Sequence, residues 1–261
     1  MLGSAEVARG GVEPRSRSGD GASACVRLEK LQGDGMADRE TVAILGGTGD
    51  QGLGLAYRFA VAGRPIRIGS RKEDRALAAA EDVRTKVADA NVAGFLNPEA
   101  TRAVAGGIVI LSVPFEHTVS TLKSIRDELT PGTILVSMGV PLATAIGDVA
   151  ARVVGISQGS CAELCASLVP KGVQVVSAFQ NVSAHRLMDL GKSVECDVIV
   201  SGAAEPRDRV MRLCDDIPGC RAINGGPLYN ARYVEQITAM LIGMNVRLKN
   251  PDGFGIRITY L

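Results

Sequence analysis

Residues 42–54 read VAILGGTGDQGLG, an apolar run that is followed at once by closely spaced glycines. Within it, residues 47–52 fit the pattern GxGxxG, which alone is weak evidence in a chain with 31 glycines. Here the pattern follows a predicted strand and opens a predicted helix, which is the context that a phosphate-binding turn requires. The second glycine lets the backbone approach a pyrophosphate, and free N–H groups at the helix start face the anion. We therefore predict a dinucleotide site, with a glycine-rich turn that binds no ligand as the alternative.

Short apolar runs alternate with longer amphipathic stretches from residue 41 onward. The predicted strands cover residues 41–45, 66–68, 108–113 and 133–137, and the predicted helices cover residues 52–62, 73–89 and 118–129. Strands that are apolar throughout are typical of a parallel sheet with helices on both faces. The alternation continues through residues 163–168, 173–177 and 194–200, before a long predicted helix at 229–248 and a short strand or tail at 255–259. We predict an α/β fold, a Rossmann-type doubly wound parallel sheet with a small, mainly helical C-terminal domain.

The 261 residues correspond to between one and two average domains. Residues 1–38 are rich in Gly, Ser and Arg without periodicity, which predicts a disordered extension. We assign residues 39–178 to the dinucleotide-binding domain and residues 179–261 to a C-terminal domain that completes the site and forms an interface.

Composition excludes several classes of function. The net charge is only +1, which indicates neither a nucleic-acid partner nor a membrane partner. Five Phe, four Tyr and no Trp are too few for a base-stacking surface, and no run approaches the ~18 apolar residues of a membrane helix. Six cysteines without a CxxC pair, together with two histidines, predict no metal site. These features predict a soluble, reduced, cytoplasmic protein.

The residues after the second predicted strand indicate which dinucleotide binds. An NAD site usually places Asp or Glu there to hold the ribose 2′-hydroxyl. This chain instead has Ser70, Arg71 and Lys72, followed by Arg75. A hydroxyl and guanidinium groups suit a 2′-phosphate, which a carboxylate would repel. We therefore predict NADP(H), with a solvated basic helix start as the alternative.

The chain resembles the NADPH-dependent coenzyme F420 reductases over residues 40–261. The resemblance rests on blocks in a kept order, namely GGTGDQGLG at 46–54, GSR at 69–71, LSVPFEH at 111–117, VVSAFQNVSA at 175–184, GPLYNAR at 226–232 and GFGI at 253–256. It implies hydride exchange between NADP(H) and the deazaflavin ring of coenzyme F420 as co-substrate. Two departures concern the ring site, because Phe115 replaces a tryptophan of some members and Gln180-Asn181 stands where some have His-Thr.

The resemblance also implies roles for individual residues. The pyrophosphate would be cradled by Thr48, Gly49, Asp50 and Gln51, and the 2′-phosphate by Ser70, Arg71 and Arg75. The nicotinamide side would be lined by Val113, Phe115 and Ala184, and the deazaflavin would lie near Asn181, Val182 and Phe254. Hydride moves directly between two carbons, so that the protein must align two flat rings and needs no catalytic acid–base residue.

Other acceptors and roles stay open on the sequence alone. The same superfamily includes flavin or ferric reductases and imino or keto acid reductases, and a catalytically silent NADP(H)-binding sensor would keep the turn. His117 is expected either to contact the cofactor or to cap a helix, and Asp50 could also cap one. His185 is expected to be exposed rather than to contact a phosphate.

The remaining cysteines and the last helix have structural interpretations. Cys161 and Cys165 are expected to pack in the core, and a redox pair of Cys214 and Cys220 is the less favoured alternative to free thiols.

The apolar positions of residues 229–246 predict a subunit interface, and hence a homodimer.

Overall fold

The protein is described by a computed structural model of residues 39–261, and the extension predicted at residues 1–38 lies outside the described residues. Six parallel strands form the main sheet in the order β3-β2-β1-β4-β5-β6. They are β1 (Val42–Leu45), β2 (Ile66–Ser70), β3 (Val92–Leu96), β4 (Ile108–Leu111), β5 (Ile134–Ser137) and β6 (Gln174–Ser177). This strand order is that of the doubly wound dinucleotide-binding fold, which confirms the predicted fold class.

Helices cover both faces of this sheet. They are α1 (Asp50–Val61), α2 (Glu73–Lys86), α3 (Asn97–Arg102), α4 (Phe115–Ile125) and α5 (Cys161–Leu168). Because side chains of a strand alternate between its two faces, Val42 and Ile44 belong to the core on one side, whereas Ala43 and Leu45 belong to the core on the other. All four are fully buried, which explains why β1 carries no polar residue.

The strand register places three strand ends side by side. Leu45 is paired with Gly69 of β2 on one side and with Leu111 of β4 on the other. The chain leaves β1 for β2 and β3 on one side and crosses to β4 on the other, so that the order of strands reverses between β1 and β4. Ligands of open α/β sheets bind outside the carboxyl ends of the strands at such a point.

The C-terminal part has its own small sheet. Its elements are α6 (Ala184–Met188), β7 (Cys196–Val200), α7 (Ala204–Met211), β8 (Cys220–Asn224) and the 18-residue α8 (Ala231–Leu248). The predicted helical C-terminal region is therefore present. The strand predicted at 194–200 does not extend the main sheet, however, because β7 pairs with β8 and meets β6 only through a bridge between Ser177 and Ser201. The boundary that we propose between residues 178 and 179 falls just after β6.

Several element predictions need correction. β3, α3, α6, α7 and β8 were not predicted; all five are short, and β3, although apolar in sequence, is half-exposed over four of its five residues. The strand predicted at 108–113 ends at Leu111, and the segment at 255–259 is a tail without strand pairing. α4 ends at Ile125 and continues as a 3-10 turn, Arg126–Glu128. Within residues 39–261, every helix is too short or too polar to span a lipid bilayer.

Candidate active site

The turn between β1 and α1 lies directly against the end of β4. Gly46 has a φ of +76°, and a Cβ atom there would lie 2.3 Å from the Ser112 carbonyl oxygen. Only glycine can adopt this conformation at this close approach without strain. Gly49 is the N-cap residue of α1, and the Asp50 side chain makes no capping hydrogen bond, so the suggested capping role of Asp50 is wrong. The first N–H groups of α1 are thus available to an anion.

A cavity of about 650 Å³ extends from this turn to the end of β2. Its lining includes the predicted residues Thr48, Gly49, Ser70, Arg71, Arg75 and Val113, together with Lys72, Asn97 and His117. None of the lining residues, all of which lie in the described range 39–261, is acidic. Arg71 and Arg75 are exposed and form no ion pair within that range. The cavity is therefore suited to a polyanion.

A second cavity of about 450 Å³ adjoins the first. The two share Gly49, Ser112, Val113 and Pro114, and we call them together the edge groove. The second cavity adds the predicted residues Asp50, Gln51 and Phe115 and the unpredicted Met138, Gly139, Val140 and Gln180. Its walls beside Val113 and Phe115 are largely apolar, as a flat ring requires. The groove thus has a basic end at β2 and an apolar end at β4 and β5.

His117 faces the groove and does not cap a helix. The N-cap residue of α4 is Pro114, and the His117 backbone N–H donates to its carbonyl oxygen at 2.9 Å. The side chain lines the first cavity, so the capping alternative for His117 is wrong. His185 is exposed, as predicted, with its Nδ1 3.5 Å from Asp252 Oδ1.

The residues predicted for the deazaflavin, and Ala184, which was predicted for the nicotinamide side, are not among the residues that line the groove. Asn181 and Val182 are each 3% exposed, and Asn181 Nδ2 donates to the Asp197 carbonyl oxygen at 2.8 Å. Ala184 is the first residue of α6. Phe254 lies between Gly253 and Gly255, which line a third cavity of about 410 Å³ together with Ser183 and Cys196. The structure therefore gathers the predicted phosphate residues, Val113 and Phe115, but not these four.

Gln180 connects the C-terminal part with the groove. It is 7% exposed and lines the second cavity, and its Nε2 donates to Ser177 Oγ. Its Oε1 atom has no hydrogen-bond partner among the described residues. Sequence reasoning identified Gln180 only as a departure from the family pattern. Met138 and Gly139 were missed, although their place after β5, at the carboxyl end of a parallel strand, is the signal that would have found them.

A buried polar cluster lies behind the second cavity. A Cβ atom at Gly139 would lie 2.5 Å from Cys161 Sγ, so α5 forms the support of this wall. Glu235 of α8 is 1% exposed and accepts hydrogen bonds from the backbone N–H groups of Cys161 (2.8 Å) and Ala162 (3.2 Å). Burial raises the pKa of Glu235 to about 8 against these two donors. The carboxyl group thus holds the start of α5 in place.

The five cysteines in residues 39–261 are free thiols, and all but the partly buried Cys220 are buried. Cys161 and Cys165 have no exposed surface, as predicted, and the hydrogen bond to Cys161 together with burial raises the pKa of Cys165. Cys214 and Cys220 are also free, and burial raises the pKa of Cys220 to about 12. Burial thus disfavours the thiolate forms of Cys214 and Cys220, and the redox alternative for this pair gains no support.

Comparison with known proteins connects this geometry with a family. Residues 41–141 match the family described as NADP oxidoreductase coenzyme F420-dependent. The F420-dependent NADP reductase of Methanocaldococcus jannaschii is 46% identical over 225 residues, which cover 84% of this chain and 98% of that protein. The F420-dependent NADP reductase of Methanothermobacter thermautotrophicus is 42% identical, over 84% of this chain and 95% of that protein.

Solved structures show the same fold at lower identity. A putative F420-dependent NADP reductase from an Arthrobacter species has a TM-score of 0.69 at 22% identity, over 83% of this chain and 99% of that one. An imine reductase from Bacillus cereus has a TM-score of 0.54 at 20% identity, over 81% of this chain and 63% of that one. These likenesses extend the fold assignment through the C-terminal part of the chain.

Proposed function

The chain belongs to the family of F420-dependent NADP reductases, and from this membership we infer that it is an oxidoreductase that transfers a hydride between NADP(H) and coenzyme F420. The edge groove supports this function, because a basic end for a phosphorylated ribose and an apolar end for a flat ring lie on one continuous surface. The unpaired cations Arg71 and Arg75 are the observation that carries the choice of NADP(H). No carboxylate for a free 2′-hydroxyl is among the described residues that line the first cavity, where the groove has its basic end.

Different residues of the groove bind different parts of the dinucleotide. We propose that Thr48, Gly49, Asp50 and Gln51 cradle the pyrophosphate at the start of α1, where the backbone N–H groups of Asp50 and Gln51 face it; the Gly49 N–H donates instead to the Gly46 carbonyl oxygen at 3.1 Å. Ser70, Arg71 and Arg75 hold the 2′-phosphate. The Ser70 hydroxyl is preorganised, since it accepts the Lys72 backbone N–H at 3.3 Å.

The rings require positioning and the exclusion of water. Bound NADPH supplies a hydride from its nicotinamide ring, and F420 accepts it on the deazaflavin. Val113, Phe115 and Ala184 would orient the nicotinamide, and Asn181, Val182 and Phe254 would contact the deazaflavin. No side chain is assigned a proton-transfer role, because direct hydride transfer needs none.

The assay that tests this function combines the purified protein with NADPH and F420. We expect loss of the deazaflavin absorbance together with NADPH oxidation, and no NADPH oxidation when F420 is omitted. Oxidation restored by free flavin, ferric ion, or an imino or keto acid instead of F420 would favour the other reductases of the superfamily. Tight NADPH binding without turnover of any acceptor would favour a silent sensor.

A double variant tests the choice of cofactor. Changing Ser70→Ala and Arg71→Asp removes two charge-assisted hydrogen bonds and adds a repelling charge, which weakens NADPH binding by ~2–4 kcal/mol, or about 30- to 900-fold in Kd. Affinity for NADH should change little. Arg212→Asp is the matched control, because Arg212 is exposed and does not line the edge groove. An unchanged Kd for NADPH would contradict the assignment.

We further propose a cytoplasmic homodimer that pairs through α8. Tyr233, Met240, Val246 and Leu248 of this helix are each more than half exposed. A second copy of the chain would cover these exposed apolar side chains. Light scattering after size exclusion should give twice the chain mass, and Met240→Glu should shift it toward the monomer.

A further inference from the structure

One side chain of the dinucleotide turn points away from the phosphate cavity. The Gln51 Nε2 group donates to the backbone carbonyl oxygens of Phe179 (3.2 Å) and Val182 (3.0 Å). An amide has two N–H donors, and here both are used. The Gln51 side chain therefore holds the segment 179–182, whereas only its backbone N–H is left for a pyrophosphate.

The same face of α1 holds the next part of this segment. Arg58 lies seven residues after Gln51, which places both side chains on one face of the helix. Its guanidinium is 3% exposed and donates to the carbonyl oxygens of Leu187 (3.0 Å), Arg186 (2.6 Å), Asp189 (2.6 Å) and Lys192 (2.9 Å). Between them, a Cβ atom at Gly54 would lie 2.6 Å from Leu187 Cβ, so the two backbones touch. α1 is thus attached to residues 179–192 along its whole length.

The backbone that Gln51 holds is strained. Phe179 has a φ of +68°, a conformation that a bulky residue rarely adopts unless its surroundings impose it. Its side chain is fully buried and packs edge-to-face against Phe59 of α1, with ring centroids 6.4 Å apart. The residue that follows, Gln180, lines the apolar end of the edge groove. The strain therefore lies at the point where the segment enters the site.

From these contacts we propose that Gln51 is a positioning residue for hydride transfer. It fixes segment 179–182 to the helix that carries the dinucleotide turn, and so sets the distance between the two rings in the groove. The proposal rests on the proposed function. Hydride donor and acceptor must approach to about 3–3.5 Å, and a displacement of ~1 Å can reduce the rate by about 100-fold. Gln51 would act on the rate through Val182 and Gln180, without touching the reacting atoms.

The test is the isosteric change Gln51→Glu, which replaces both donors by an acceptor facing two carbonyl oxygens. The added charge should also weaken NADPH binding, so the uncharged change Gln51→Met is made beside it, and for that variant we expect the Kd for NADPH, measured without acceptor, to change less than kcat. The kcat with F420 should fall about 10- to 100-fold, in proportion to the misplacement. The primary deuterium isotope effect with NADPH labelled at the transferred position should rise, because ring approach becomes limiting. Partial recovery of kcat at acidic pH is expected, because a protonated carboxyl donates one hydrogen bond.

Controls keep the outcomes distinct. Gln174→Glu makes the same change at an exposed residue of β6 and should leave kcat, Kd and the isotope effect unchanged. If Gln51→Glu fails to fold by circular dichroism, Gln51→Met removes the donors without a buried charge and carries the same expectation. A weakened Kd with unaltered kcat and isotope effect would mean that Gln51 serves only the pyrophosphate, and would overturn the proposal. A Gln51→Glu variant indistinguishable from wild type would also overturn the proposal. A wild-type protein that is inactive with F420 would overturn the proposed function itself.

Discussion

The carboxylate of Asp197 in β7 anchors the C-terminal tail. The loss of thermal stability in the variant Asp197→Asn measures the strength of this anchor. The carboxylate is 0% exposed and accepts two hydrogen bonds from Arg221 (2.7 Å each), one from Arg257 (2.9 Å) and one from the Ile258 backbone N–H (2.6 Å). The hydrogen bond with Arg221 is the chief cause that holds the pKa of Asp197 well below its usual range. Because Arg257 and Ile258 belong to the tail, the single carboxylate joins the tail to the small sheet.

The size of the expected destabilisation follows from the number of hydrogen-bond donors that lose their acceptor in Asp197→Asn. Asn offers one oxygen where Asp offers two, so at least two of the four donors lose their acceptor. Charge-assisted hydrogen bonds contribute ~1.5–3 kcal/mol each, which gives a loss of about 3–6 kcal/mol. Arg221 and Arg257 are partly exposed, so water can replace some of the hydrogen bonds that they lose. We therefore expect a loss of stability at the lower end of this range, ~3 kcal/mol. For a domain of this size the Tm should fall by about 6–12 °C.

Thermal unfolding by calorimetry measures this change, with Glu195→Gln as the matched control. Glu195 pairs with the same Arg257, but its side chain is 66% exposed, so its loss should shift the Tm little. Because the native pKa of Asp197 is depressed, its contribution is present above the ordinary Asp pKa of about 3.9 and is lost as pH falls below it. The difference between wild type and Asp197→Asn should therefore shrink in acid. A Tm within about 2 °C of wild type at neutral pH would refute the anchor.

Two further predictions concern the support of the groove. The pKa of Glu235 is raised to about 8 from an ordinary value of about 4.3, so the native state binds this proton more tightly. The free energy of unfolding should therefore decrease as pH rises from about 4.3 to 8. In urea unfolding, Glu235→Gln should show a weaker dependence of this free energy on pH. Equal pH dependence in the variant and the wild type would contradict the reasoning. Gly54→Ala places a Cβ 2.6 Å from Leu187 Cβ and should cost ~1–3 kcal/mol in thermal unfolding. Gly155→Ala, with open space around it, is the control, and equal Tm values for the two variants would disprove close packing at Gly54.

Three strands of the central sheet were predictable because each is a buried and almost wholly apolar run. β1, β4 and β5 are buried along their whole length, and the predicted segments matched them to within two residues. β3 could not be found in this way, because Gly94 and Phe95 lie at a half-exposed edge where local pattern carries little information. Local propensity thus locates buried strands, but edge strands depend on their partner.

The residues of the candidate site also fall into two groups. Some were predictable from their position in the sequence, and others reach the groove only through the tertiary structure. Residues adjacent in sequence to a strand end, such as Ser70, Arg71 and Val113, were assigned to the groove from their position and do line it. Met138 and Gly139 join them only because β5 ends beside β4. The Gln51 side chain was assigned to the phosphate with its neighbours, yet it points to a segment 128 residues later in the chain.

By itself, the sequence determined that the chain holds a dinucleotide turn, that the cofactor carries a 2′-phosphate, and that the family is one of F420-dependent reductases. The turn and the choice of cofactor rest on glycines and charges within short segments, which the order of residues specifies directly, and the family rests on the resemblance of blocks over residues 40–261. The tertiary structure alone decided how α1 holds segment 179–192 and how Asp197 holds the tail. Both depend on hydrogen bonds between residues far apart in sequence. The partners of Gln51 and Arg58 are backbone carbonyl groups, which every residue carries, and the arginines that pair with Asp197 are found beside it only once the tail has folded back onto β7.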